Sequence, residues 1–237
     1  MTASATAEPR GYRRAALAVG VSAVLYVAAI AAWIARDAIA SRRDAAWLSQ
    51  PSVQIARLGA HAVVLALAGR DRAGRSGHFE LILARKPIAW AYASADRLAR
   101  GGEVLGSRAM GELADAALVD RLVAADHLVA IGSAEPELAA TEGLYLAGQR
   151  ARQTAVWLSG LAPGVAQITT LNLGQYRQPC ALCETTKVSW ARPVIVAAAT
   201  SLEPGVDVGE ALRAALGSAA NVPAPARYTA YALARFR

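Results

Sequence analysis

The stretch His127–Leu158 reads HLVAIGSAEPELAATEGLYLAGQRARQTAVWL, and the interpretation of the whole chain starts from it. The apolar run His127–Gly132 predicts a strand, and the small polar residues 133–141, which include a proline, predict a turn. Gly143–Leu158 predicts a helix. Glu135 belongs to the turn and Arg150 to the helix, fifteen positions later.

The predicted helix carries a stripe of small and apolar residues, which are Leu144, Gly148, Ala151, Ala155 and Leu158. Arg150 and Arg152 fall off this stripe, so Arg150 is expected to reach a ligand or a carboxylate. A carboxylate beside a guanidinium suits a zwitterion, because the acid takes an ammonium group and arginine binds a carboxylate with two N–H donors. A surface ion pair is the alternative interpretation of the same two residues.

Composition narrows the class of protein. The chain has 237 residues, a formal net charge of +7 and a hydrophobic fraction of 55%, which exceeds the usual share of a soluble domain. Lys86 and Lys187 are the only lysines, and the arginines are scattered without a basic block. This pattern argues against nucleic acid as a partner.

The N-terminal region predicts a membrane anchor. Residues 1–14 form a short tail, and residues 15–35 contain no charge. A helix over 15–35 would span about 31 Å, the thickness of a bilayer core. An uncleaved signal anchor is favoured, with the tail in the cytoplasm and the rest of the chain outside the bacterial inner membrane. The alternative is a cleaved signal peptide, because Ala38-Ile39-Ala40 precedes Ser41.

The remaining elements are assigned from periodicity and turn signals. Residues 36–106 are interpreted as a juxtamembrane segment with additional strands, and residues 94–106 as a connection. Residues 107–199 are interpreted as the main domain and 200–237 as a C-terminal extension. The predicted strands are Ala62–Ala68, Phe79–Ala84, Ile88–Tyr92, Gln167–Leu173 and Val188–Ala199, and the other predicted helices are Met110–Ala125 and Val208–Leu216.

Three short motifs within residues 107–199 resemble one family. They are Gly132-Ser133-Ala134-Glu135, Leu146-Ala147-Gly148-Gln149-Arg150-Ala151, and Ile168-Thr169-Thr170 followed by Gly174 and Pro179. Their order and spacing resemble the OmpA-like peptidoglycan-binding domain. In that family a strand ends in a Gly-His-Thr-Asp-like motif, and the following helix carries Leu-Ser-x-x-Arg-Ala.

The resemblance implies an α+β fold, namely a two-layer βαβαββ-type domain preceded by extra strands. It implies a non-catalytic protein without a cofactor that binds peptidoglycan and tethers an envelope complex to the cell wall. Glu135 and Arg150 would grip diaminopimelate, with Ser133 and Leu146 beside them. The expected partners are peptidoglycan, the inner membrane and other envelope-complex subunits.

The departures from the family motif point to an alternative function. Ser133 and Ala134 replace the histidine and threonine, Glu135 is one methylene longer than aspartate, and Gly143 replaces an asparagine. A domain that keeps the fold but acts as a protein–protein scaffold, without peptidoglycan binding, is therefore the second hypothesis.

The two cysteines, Cys180 and Cys183, form a lone Cys-x-x-Cys. In an oxidising compartment a disulfide that tightens the loop is expected, and two free thiols are the alternative. No second cysteine pair accompanies them, and the histidines are dispersed, so no metal site is predicted.

Overall fold

The computed structural model describes residues 55–59, 61–84, 88–100, 103–105, 109–136, 138–177, 192–219 and 222–237. All of them belong to a compact unit that spans Ser52–Arg237. The predicted tail, the predicted membrane helix 15–35 and the pair Cys180/Cys183 lie outside the described residues. Within those residues, no helix combines the length and the apolar character needed to cross a bilayer.

The chain forms ten strands and four α-helices in the described residues. The strands are β1 (Ile55–Leu58), β2 (Ala62–Arg70), β3 (Ser76–Ala84), β4 (Ile88–Trp90), β5 (Leu98–Arg100), β6 (Glu103–Val104), β7 (His127–Ala134), β8 (Ile168–Gln175), β9 (Ile195–Leu202) and β10 (Ala232–Arg235). The helices are α1 (Ala109–Leu113), α2 (Ala116–Val123), α3 (Ala140–Leu161) and α4 (Val208–Ser218), with a 3-10 turn at Pro225–Arg227.

Seven strands form one mixed sheet in the order β1-β2-β3-β9-β7-β8-β10. Only β7 and β8 are parallel, and α3 connects them; every other neighbouring pair is antiparallel. The α+β class predicted from the sequence is confirmed. The sheet also crosses both predicted domain boundaries, since β3 precedes residue 107 and β9 runs past residue 199.

Helices cover both faces of this sheet. Leu128 and Ala130 of β7 pack in a cluster with residues of α2 and α3, whereas Val129 and Ile131 pack in a second cluster with residues of α4. Alternate residues of a strand point to opposite faces, which is why all eight residues of β7 are buried. The helix α4, which belongs to the predicted C-terminal extension, therefore adds a third layer to the predicted two-layer domain.

Each helix layer approaches the sheet at a glycine. A Cβ on Gly132 would come within 2.0 Å of the Ala147 carbonyl oxygen, and a Cβ on Gly69 within 2.0 Å of the Ala211 carbonyl oxygen. No side chain fits in either space, so these positions let the backbones of α3 and α4 lie against β7 and β2. Gly132 thereby determines how closely α3 packs against β7, and so how close Arg150 lies to the end of β7.

Two element predictions were wrong, and each has a local physical cause. The predicted helix Met110–Ala125 is split, because Asp115 has extended backbone angles and its carboxylate accepts a hydrogen bond from the Leu118 N–H at 3.0 Å. Within the predicted strand Val188–Ala199, residues 192–194 are not in a strand and β9 begins at Ile195, after Pro193, which has no N–H to donate to a ladder. Residues 188–191 lie outside the described residues.

The predicted connection over residues 94–106 is also wrong, since β5 and β6 occupy part of it. They join β4 in a separate three-stranded antiparallel sheet, β4-β5-β6. This small sheet has its own apolar cluster, formed by Ile88, Trp90, Leu98, Ala109, Leu113 and Val194. It positions the turn between β4 and β5 next to Arg150.

Candidate functional site

Glu135 and Arg150 lie together at one end of the main sheet. Glu135 follows the last residue of β7, and Arg150 lies near the middle of α3. The two side chains form a bidentate pair, with Arg150 Nη1 2.9 Å from Glu135 Oε2 and Nη2 2.8 Å from Oε1. The proximity that the sequence predicted is therefore present.

Arg150 also binds three backbone carbonyl groups. Nε donates to the Ser94 oxygen at 2.8 Å, Nη1 to the Ser133 oxygen at 2.8 Å and Nη2 to the Ala91 oxygen at 3.2 Å. A guanidinium has five N–H donors, and these five bonds use all of them. Arg150 thus joins α3, the end of β7 and the β4–β5 turn.

The turn that Arg150 holds comprises Ala91–Ser94. The Ser94 N–H donates to the Ala91 oxygen at 3.1 Å, as in a β-turn. Ala93 has φ 50°, a left-handed conformation that glycine or asparagine usually adopts, and its N–H points to Glu135 Oε1 at 3.4 Å. The turn therefore offers acceptors to the arginine and a donor to the glutamate.

Two tryptophan side chains cover one side of the Glu135–Arg150 pair. The rings of Trp90 and Trp157 stack with centroids 5.2 Å apart and an interplanar angle of 13°. The Arg150 guanidinium carbon lies 5.7 Å from the centroid of the Trp90 ring, within the range of a cation–π contact. The apolar rings exclude water from one side of the ion pair.

Burial sets the electrostatics of this site. The Arg150 side chain has 0% exposed surface and the Glu135 side chain 3%. Burial lowers the pKa of Arg150 from its ordinary value, while the hydrogen bonds and the charge of Glu135 act in the opposite direction. An arginine remains protonated even so, and the pair is a buried, mutually neutralised ion pair.

This burial corrects one sequence prediction. Arg150 was expected to fall off the buried stripe of its helix and to be available to a ligand. In the structure it belongs to the buried stripe, together with Gly143, Ala147 and Thr154, whereas Leu144, assigned to that stripe, is 45% exposed. The stripe is rotated because α3 packs over Gly132 through its smallest side chains.

The other predicted site residues contribute differently. Ser133 is fully buried and binds Arg150 through its backbone carbonyl, while its hydroxyl has no hydrogen-bond partner among the described residues. Leu146, one helical turn before Arg150, is half-buried. The Ser133 hydroxyl does not bind the pair and the Leu146 side chain is apolar, so the polar chemistry rests on Glu135 and Arg150.

Sequence reasoning missed Ala91, Ser94 and Trp90. Ala93 adopts a conformation for which glycine would have been a signal, and alanine provides none. The only available signal was Trp90 in the apolar run IAW, since tryptophan favours contact with arginine. No spacing rule connects residue 90 with residue 150.

A second concave region lies on the opposite face of the sheet. An open groove of about 630 Å³ runs between the β2–β3 turn, the start of α4 and β10. Its charged side chains are already engaged, since Arg72 pairs with Glu210 at 3.1 Å and the Arg213 guanidinium carbon lies 4.3 Å from the centroid of the Tyr231 ring. Among the described residues, no group of three or more metal-ligating side chains converges.

Comparison with protein-family models finds no family that matches the chain, and comparisons with curated proteins and with solved structures find no match.

Proposed function

We propose that the chain is a non-catalytic scaffold subunit of a bacterial envelope assembly, in which an OmpA-like domain binds protein and not peptidoglycan. Residues 15–35 would anchor it in the inner membrane, with the domain on the periplasmic side. The observation that carries the proposal is the saturation of Arg150, whose five donors all bind groups of this chain.

The order of the elements supports an OmpA-like domain. From β3 the chain continues through α1 and α2 to β7, then through α3 to β8 and β9. This is the βαβαββ order that the sequence resemblance implies, with the small sheet β4-β5-β6 inserted after the first strand. The acid at the end of β7 and the arginine on α3 occupy the positions that the motif assigns to them.

The geometry of the pair argues against a cell-wall ligand in this conformation. A zwitterion would have to replace the Glu135 carboxylate and three carbonyl groups at Arg150 by contacts of its own. The charges of the ligand would have to replace a bidentate ion pair that is already buried, and the hydrogen bonds of Arg150 to the three carbonyl groups would be lost. Binding at this site would have to offset that cost before any affinity remained.

The exposed side of α3 supports contact with a protein. Tyr145 is 70% exposed and Val156 is 46% exposed, and they recur on one outward face of the helix with Arg152 between them. Tyrosine and arginine are enriched at protein interfaces, where their apolar parts are buried. In the part of the chain that the structure describes, this face of α3 is exposed.

Binding of the full chain to purified sacculi tests the proposal. We expect no co-sedimentation of the wild-type chain above that of a membrane protein without a periplasmic domain. Co-sedimentation that free diaminopimelate abolishes would contradict the proposal and favour the peptidoglycan tether. Because this test uses the wild-type chain, its result does not depend on whether an Arg150 variant folds.

A photo-crosslinking amino acid in place of Tyr145 tests the scaffold function itself. We expect one discrete adduct with a partner protein in intact cells, and none from the same amino acid in place of Arg72, on the opposite side of the domain. Equal adducts from both positions, or none from either, would contradict a specific interface on α3.

A further inference from the structure

We infer that the turn Ala91–Ser94 is an internal ligand of the Glu135–Arg150 pair, and that the pair, once the turn is released, is a binding site for a turn of a partner polypeptide. The inference deepens the proposed scaffold function and rests on it for the nature of the partner. The inference is based on the backbone groups of the turn, which face both Arg150 and Glu135.

The turn presents complementary groups to both members of the pair. Two of its carbonyl oxygens, those of Ala91 and Ser94, accept hydrogen bonds from Arg150 at 3.2 and 2.8 Å. One of its amides, that of Ala93, faces Glu135 at 3.4 Å. All of these are backbone groups, so the pair recognises the shape of a polypeptide turn and not a particular side chain.

The turn belongs to a small sheet that is distinct from the main sheet. It connects β4 and β5, and the small sheet that contains them has two strands of three residues and one of two. No strand of that sheet is hydrogen-bonded into the seven-stranded sheet. Short strands with a small apolar cluster open at a lower free energy than a fully buried central strand.

Backbone strain favours release of the turn. Ala93 has φ 50°, and it is the only non-glycine residue with a positive φ among the described residues. An alanine in this region is strained by its Cβ, and the strain disappears when the turn leaves the pair. Tyr92, at the tip of the same turn, is 59% exposed and gives a partner a side chain to hold.

The test is binding of a labelled synthetic peptide of residues 90–97 to the full chain. In the wild type the internal turn competes at a high effective concentration, so weak binding is expected. The variant Ala93→Pro cannot adopt the positive φ and lacks the N–H that faces Glu135, so its turn cannot close. We expect it to bind the peptide at least about tenfold more tightly than the wild type.

Two matched variants control this experiment. Ala93→Gly keeps the turn and relieves its strain, so it should bind the peptide as weakly as the wild type. Ala93→Pro combined with Arg150→Lys keeps the positive charge but loses the planar fork of donors, so the gained binding should disappear. Peptide binding that survives Arg150→Lys, or that is equal in Ala93→Pro and Ala93→Gly, would overturn the inference.

A measurement on the wild type covers the case in which Ala93→Pro does not fold. We expect the N–H groups of Ala91 and Ser94 to exchange with solvent deuterium about a hundredfold faster than those of β7, through local opening. Equal rates would show that the turn opens only with global unfolding, and would overturn the inference.

A competition experiment separates this inference from failure of the proposed function. If Ala93→Pro binds free diaminopimelate and not the peptide, the pair is a binding site for the cell wall. The inference that it binds a polypeptide turn would then be wrong. Sacculus binding by the wild type would instead contradict the scaffold function, whatever the peptide result.

Discussion

Two acid–arginine pairs each fasten a turn to a neighbouring element of the fold, and they do so in opposite ways. At one end Arg150 and Glu135 are sealed, with 0% and 3% of their side chains exposed. In the β2–β3 turn Asp71 pairs with Arg75 at 2.7 Å, and there the arginine is 41% exposed while the aspartate is covered. In the first pair the buried arginine makes the additional backbone hydrogen bonds. In the second pair the buried acid makes them.

The difference lies in the backbone groups that each centre binds. Arg150 donates to three carbonyl oxygens, whereas Asp71 accepts from the N–H groups of Arg75 at 2.9 Å and Asp207 at 3.0 Å. Asp71 thereby ties the turn to the start of α4. A guanidinium does not titrate in the accessible pH range, but a carboxylate does. The two pairs should therefore respond differently to mutation, pH and salt.

Removal of an arginine from each pair should give the largest effect. Arg150→Ala leaves Glu135 buried without a counter-charge and removes one hydrogen-bond donor from each of three carbonyl groups, so we expect a loss of about 3–5 kcal/mol in the free energy of unfolding. Arg75→Ala should cost clearly less, because Asp71 keeps both of its backbone hydrogen bonds. Equilibrium urea unfolding of the purified chain measures both losses.

Arg152→Ala is the matched control, since Arg152 is exposed on the same helix. Its loss should stay within about 0.5 kcal/mol, as for an ordinary surface substitution. A loss for Arg150→Ala no greater than for Arg152→Ala would mean that the sealed pair does not stabilise the fold.

Acid should affect the Asp71 pair selectively. Burial acts to raise the pKa of Asp71, but the hydrogen bonds from the Asp207 amide and from Arg75, together with the charge of Arg75, outweigh it, and the pKa lies below its usual 3.8. A depressed pKa contributes stability that is present above the unfolded-state value and is lost as the pH falls through the folded-state value. Melting temperatures between pH 7 and pH 3 should fall less steeply for Asp71→Asn than for the wild type. Parallel acid limbs would contradict this role.

Salt should give the smallest effect, and it should weaken the most exposed ion pair and leave the sealed pair unchanged. Between 0.1 M and 1 M NaCl the screening length shortens from about 10 Å to about 3 Å, which weakens exposed pairs first. We expect the pair Arg72–Glu210, in which Arg72 is 89% exposed, to lose its contribution, with a decrease in melting temperature of about 1 °C. The variant Glu210→Gln should lack this decrease. If Arg150→Lys abolished a decrease of similar size in the melting temperature of the wild type at high salt, the result would mean that solvent reaches the sealed pair.

Local patterns predicted much of the fold around the site. The strand at His127 and the helix that carries Arg150 were expected within a few residues of β7 and α3, because their apolar periodicities are strong. The capped break at Asp115 was missed. The predicted strand Val188–Ala199 included Pro193, which on sequence grounds indicates an edge position or a bulge, and β9 begins only after it. Both depend on single polar or imino residues that interrupt an otherwise continuous pattern.

The burial of Arg150 could not be predicted from the same pattern. A charged residue beside a small-residue stripe is normally placed toward solvent, and the helix was oriented accordingly. Trp90, Ala91 and Ser94 make burial favourable, because they supply a ring face and two carbonyl groups from about sixty residues away in the chain. Contacts of such sequence separation leave no trace in a local periodicity.

By itself the sequence determined that Glu135 follows a strand and that Arg150 lies on the next helix, because strand, turn and helix patterns act over short distances. That the two residues meet was an implication of the family resemblance. Only the tertiary structure decided whether the pair is accessible to a ligand or buried inside the protein. That outcome depends on the β4–β5 turn, whose backbone carbonyl groups use two of the three donors of Arg150 that the ion pair leaves free. Every residue has a backbone carbonyl group, so no sequence motif indicates which carbonyl groups will bind Arg150.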